Sequence, residues 1–161
     1  ANGTCGIFVG AEPSVAERAM PLVKAITPRV LHMGPVGAGM VMKTINNSLL
    51  QAYFTSLQEM MSLAKRAGIP LEAAMNVVNG GPAGLPMVQD RMLKILGEDE
   101  TVGFSIRGIN KDSDVFRRVV EAHGLQTPIL ELADAAQKRA IAEGLGEADY
   151  AAVISTAYRN A

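Results

Sequence analysis

The chain has 161 residues, the length of one ordinary domain with enough interior to bury a core. Fifteen basic against sixteen acidic side chains leave a net charge of −1, which excludes the electrostatic footprint of a nucleic-acid or anionic-membrane binder. A lone cysteine excludes a disulfide framework and fits a reducing cytoplasm, and no apolar run reaches the ~18 residues of a membrane span.

Residues 4–11, TCGIFVGA, form a short apolar run bounded by glycine and predict a buried strand. The run 12–26 has helical apolar spacing, with Ser14 as a candidate cap and Pro21 expected to end or kink it. RVLHMG, 29–34, is a second strand. Two strands and one helix cannot close a sheet on their own, so 1–34 reads as the remnant of an α/β domain. The chain also opens on Ala1, close to that strand, which predicts a processed or excised piece of a longer protein.

After Gly34 the character changes, and sparse aromatics with nine methionines favour packed helices. No proline interrupts Val36 to Ala67, and Gly68-Ile69-Pro70 supplies the stop, so a helix ~45 Å long is expected. That exceeds what one small domain covers, and predicts packing against another subunit. Shorter helices follow over 71–79, 85–96, 107–124, 127–144 and 146–161, with Thr127-Pro128 as N-cap and N1. The expected fold is mainly α: an all-helical domain of ~6 helices over 35–161, one of them long, behind a strand–helix–strand stub.

Gly34, Gly37 and Gly39 lie between a strand and a helix, where they fit either a phosphate cradle or a tight interdomain turn. The turn is the simpler reading, since no complete βαβ unit follows. Lys43 is the only formally charged residue between His32 and Glu59, and Asn47 shares its helix face with Asn46 beside it. An unpaired lysine in an apolar setting could exchange protons near neutrality; a lysine snorkelling to solvent fits the spacing equally. Asp112 and Asp114, early in another helix, are ordinary partners of the helix dipole. His32 and His123 lack metal-ligand companions, so no metal is expected, and the Met40/Met42 and Met60/Met61 pairs read as core. No nucleophile motif appears.

Taken together, GPVGAGMVMKTINN and GFSIRGINKD resemble the β-hydroxyacid dehydrogenases. The resemblance runs through Gly34, Gly37, Gly39, Lys43, Asn46, Asn47, Phe104, Lys111 and Asp112, with NGTCGIFVGA and GEADYAAVI as flanking matches. It implies an intact enzyme that moves hydride between NAD or NADP and a small hydroxy acid or semialdehyde. Lys43 would be the general acid–base, Asn47 would hold substrate with Asn46 in support, and Phe104 and Lys111 would approach the nicotinamide, with Asp112 fixing Lys111. The family's glycine-rich nucleotide turn and Ser-Gly-Gly substrate loop have no counterpart here. The chain therefore corresponds to a C-terminal half whose partners are a Rossmann domain, a substrate and further copies of itself, and alone it is expected to be inactive and to bind neither cofactor tightly. Two rival classes remain: a helical oligomerisation module, and a small-ligand-binding module without catalysis.

Overall fold

The computed structural model describes residues 5–161. Strands β1 (Ile7–Gly10) and β2 (Val30–Gly34) pair in parallel around helix α1 (Pro13–Lys24), with Ile7 opposite Val30 and Phe8 opposite Leu31. Both strands are only partly covered, and the burial expected of β1 is not met, because among the described residues no third strand flanks the pair. Thr4 lies outside the described residues. Helix α1 continues through Pro21, and Ser14 does not cap it. Glu12 takes the N-cap position and Pro13 the first turn, where a missing N–H costs nothing.

Helix α2 runs from Ala38 to Arg66 and stops where the glycine and proline predict. Gly68 takes φ +73°, and the Ile69 N–H donates back to the Ala64 carbonyl at 2.9 Å. Helix α3 (Leu71–Gly80) follows. The single helix expected over 85–96 is two, α4 (Pro86–Gln89) and α5 (Met92–Leu96), because Arg91 leaves helical geometry between them. Helix α6 (Ile106–Ala122) is capped by Ser105, whose hydroxyl accepts the Gly108 N–H at 3.1 Å. Helix α7 (Pro128–Ala140) has Thr127 at its N-cap without a side-chain bond, and runs into a π turn, Ile141–Leu145, broken at Gly144 with φ +90°. The last helix, α8 (Ala152–Asn160), starts later than predicted. Residues 146–151 fold back on the start of α6 instead, through Ile106 N–H to Ala148 O at 3.1 Å and Arg107 N–H to Gly146 O at 2.9 Å.

The long helix α2 is the spine, packed by α6, α7 and α8. Phe54, Leu57 and Met61 enter a core with Met75, Ile106 and Ile154, and Phe54 stacks on Tyr150 at 4.7 Å between ring centres. Each such side chain contributes roughly 1.5–3 kcal/mol by leaving water. Of the two methionine pairs only Met61 is core; Met40 and Met60 are exposed. Ile45, Leu49, Met60 and Leu63 form a second stripe on α2, facing outward. Among the described residues, no helix is long and apolar enough to cross a membrane.

Candidate active site

The glycine turn sets where the site begins. Gly34 and Gly37 take φ +120° and +96°, open to glycine and strained for other residues. A Cβ on Gly39 would stand 2.4 Å from the Phe8 carbonyl oxygen, and one on Gly10 would stand 2.8 Å from the Gly39 nitrogen. Strand β1 thus lies directly against Gly39, and the turn lets α2 start hard against the sheet.

One turn into α2, Lys43, Asn47 and Gln51 follow each other along one face at four-residue intervals. The Lys43 ammonium donates to Asp112 Oδ2 at 3.1 Å and lies 5.7 Å from the centre of the buried Phe116 ring. The unpaired lysine expected from the sequence is therefore paired, and its side chain keeps 43% of its exposure. Asp112 does not fix Lys111. Successive helix residues point about 100° apart, so Asp112 turns toward α2 while Lys111 is exposed and has no ion-pair partner among the described residues. Asn46 Nδ2 donates to Asn47 Oδ1 at 3.1 Å. Below them the buried Ser113 hydroxyl sits 3.0 Å from Gln51 Oε1 and 2.9 Å from Gln137 Oε1, tying α2, α6 and α7 together. Gln51 was not predicted, although a polar residue four positions past Asn47 in an apolar run is a usable signal.

Two adjoining hollows open beside this face, sharing Gly6, Arg29, Asn46 and Asn47. The smaller, about 560 Å³, takes Lys43 and Gly39 into its wall. The larger, about 890 Å³, takes Asp112 and Phe104. Lys43, Asn46, Asn47, Phe104 and Asp112 therefore meet at one cleft; Lys111 lines neither hollow.

Phe104 is held there by a residue the sequence reading missed. Asp149, 7% exposed, accepts the N–H groups of Gly103 at 2.8 Å, Phe104 at 3.2 Å and Ala151 at 3.0 Å, with the Arg91 guanidinium 3.4 Å away. Burial pushes its carboxyl upward, but the Ala151, Phe104 and Gly103 donors together with Arg91 outweigh it and hold it below the usual carboxylate range. The other end of the same loop is clasped by Lys94, which donates to Asp99 at 2.8 Å and to both Thr101 oxygens. Lys94 and Thr101 hold Asp99 well below its ordinary value. Elsewhere, His32 contacts the Ala11 carbonyl at 2.7 Å, His123 follows the last residue of α6, and no cluster among the described residues could hold a metal.

Residues 37–157 match the family described as the NAD-binding domain of NADP-dependent 3-hydroxyisobutyrate dehydrogenase. An uncharacterized oxidoreductase of Synechocystis is 30% identical over 74% of the chain and 41% of its own length. The 2-(hydroxymethyl)glutarate dehydrogenase of Eubacterium barkeri is 29% identical over 94% of the chain and 51% of its own length. The solved structure of Mycobacterium tuberculosis 3-hydroxyisobutyrate dehydrogenase with L-serine superposes with a TM-score of 0.80 at 25% identity, covering 91% of this chain and 53% of that one. The chain spans about half the length of the curated relatives it matches.

Proposed function

We propose that this chain, which belongs to the 3-hydroxyisobutyrate dehydrogenase family, carries the proton-transfer side of an NAD(P)-dependent oxidoreductase acting on a small 3-hydroxy acid or semialdehyde. The observation that supports this most is the Lys43–Asp112 pair at 3.1 Å, set beside Asn47 at an open cleft. In the oxidation direction the Lys43 amine takes the substrate's hydroxyl proton, and in reduction the ammonium returns it to the carbonyl oxygen. Asp112 steers the ammonium and balances its charge. Asn47 holds the hydroxyl or carboxylate, steadied by the Asn46 amide.

The residues present fit one end of a dinucleotide. Phe104, 38% exposed, offers a ring face in the same cleft as Asn46, and Lys111 is exposed on the next helix, so these would approach the nicotinamide. When bound, that ring supplies or accepts the hydride. The Gly34–Gly39 turn sets Gly39 hard against β1, and the dinucleotide's remaining contacts would come from a Rossmann domain. The exposed Ile45–Leu49–Met60–Leu63 stripe suits pairing with a second copy, and the free Cys5 thiol suits the cytoplasm.

The test is cofactor-linked oxidation of small 3-hydroxy acids by the enzyme carrying this chain, followed by nicotinamide absorbance. Saturable turnover is expected. No turnover of any such acid with either cofactor would leave only the rival readings, a helical oligomerisation module or a ligand-binding module without catalysis.

A further inference from the structure

Three buried polar side chains meet in the helical core beneath the face that carries Lys43 and Asn47: Gln51 from α2, Ser113 from α6 and Gln137 from α7. The Ser113 hydroxyl has three oxygens in reach but one hydrogen to give. They are Gln51 Oε1 at 3.0 Å, Gln137 Oε1 at 2.9 Å and the Ile109 carbonyl at 3.2 Å. Gln137 Nε2 meanwhile lies buried with no acceptor in bonding geometry, although the Tyr150 hydroxyl borders the same side chain. Turning the Gln137 amide over resolves both, since Nε2 then donates to Ser113 Oγ and Ser113 donates to Gln51 Oε1. The turn gives up only a 3.5 Å contact from Asn110, whose amide already donates to Asp134 at 2.7 Å.

Apolar packing is non-directional and would let α6 turn against α2, whereas a hydrogen bond favours one angle. The residue before Ser113 is Asp112, which takes the Lys43 ammonium. Two adjacent residues of α6 thus bond to α2 at positions eight apart, about 12 Å along the helix. Asn47 lies midway between those positions. We propose that Ser113 is a positioning residue: its bond to Gln51 sets the rotation of α6 that brings the Asp112 carboxylate to Lys43. This rests on the acid–base reading of Lys43. Ser113 is buried and lines neither hollow of the cleft, so it acts through Asp112 and touches no substrate.

The test is a double-mutant cycle on kcat in the enzyme carrying this chain, with cofactor KM read beside it. Ser113→Ala should lower kcat roughly three- to tenfold and leave cofactor KM within about twofold. In an Asp112→Asn background the same substitution should change kcat by less than about twofold, because the carboxylate it aims is already gone. Ser113→Cys keeps the size with a weaker donor, so its kcat should fall between serine and alanine. It carries the same cycle where the alanine variant does not fold. Equal losses in both backgrounds, or no loss in either, would overturn the positioning role while the reading of Lys43 stands. A cofactor KM that rises in step with the kcat loss would mark a general loosening and overturn it too. Near-normal turnover of Lys43→Ala would overturn the acid–base reading and the positioning role with it.

Discussion

Lys43 and Asp112 meet at 3.1 Å although sixty-nine positions separate them, and their contact joins α2 to α6 at the edge of the cleft. The pair is half-open to water, so its contribution to stability is small, about 1 kcal/mol or less. Its geometry suits catalysis better than stability, since the carboxylate fixes where the ammonium points. Asp112→Asn keeps the shape and removes the charge. Thermal unfolding should barely move, while kcat should fall roughly tenfold or more, a barrier change of about 1.4 kcal/mol per decade. A variant with lowered stability and unaltered turnover would make the contact purely structural.

The close approach of α2 to the sheet depends on two missing side chains. Gly39→Ala would drive a methyl into the Phe8 carbonyl, which is backbone and cannot step aside. A loss of about 1–3 kcal/mol is expected in denaturant unfolding. Gly80→Ala, in a helix with nothing within 4 Å of the added carbon, should be neutral or stabilising by roughly 0.5–1 kcal/mol. The two variants differ only in surroundings, so equal effects would contradict the packing account.

How much of this was legible follows from what kind of signal each feature leaves. Helix α2 is announced by its neighbours in sequence, an uninterrupted apolar run and a Gly68–Pro70 stop. So are Lys43 and Asn47, which need only helical spacing to share a face. The Lys43–Asp112 pair leaves no local trace, because it depends on how α6 is rotated against α2. Helix geometry alone, however, already argues against Asp112 fixing its immediate neighbour Lys111. Asp149 was hidden for a related reason: in GEADYAA it looks like an ordinary first-turn acid, and only the fold-back of 146–151 onto α6 turns it inward.

That Asp149 carboxylate makes the Phe104 loop sensitive to acid. Its value is depressed in the folded chain, so its contribution is fully present above the unfolded carboxylate range, ~3.9, and is lost as pH falls through the folded value. Asp99, depressed by Lys94 and Thr101, has the same sign. Asp149→Asn leaves Arg91 short of its partner and should cost ~3 kcal/mol at neutral pH, with a weaker dependence on acid below pH 4. Unfolding measured from pH 7 down to pH 3 checks both; an unaltered acid limb would contradict the assignment.

The outward stripe on α2 predicts self-association. Leu49 is 69% and Leu63 60% exposed on a helix whose opposite face is core. Leu49→Glu with Leu63→Glu should convert a dimer or larger assembly to monomer in light scattering, with unchanged helix content. A monomer before substitution would remove the stripe from the account.

The most direct measurement is turnover of Lys43→Ala and Lys43→Arg beside cofactor Kd, in the enzyme carrying this chain. Loss of the acid–base group should lower kcat ~10²–10⁴-fold in Lys43→Ala. Arginine should not restore it, because a guanidinium stays protonated and cannot accept the hydroxyl proton. Cofactor Kd should stay near its original value in both, since the lysine faces the substrate. Near-normal turnover of Lys43→Ala would contradict the central claim and leave Lys43 as a surface lysine paired with Asp112.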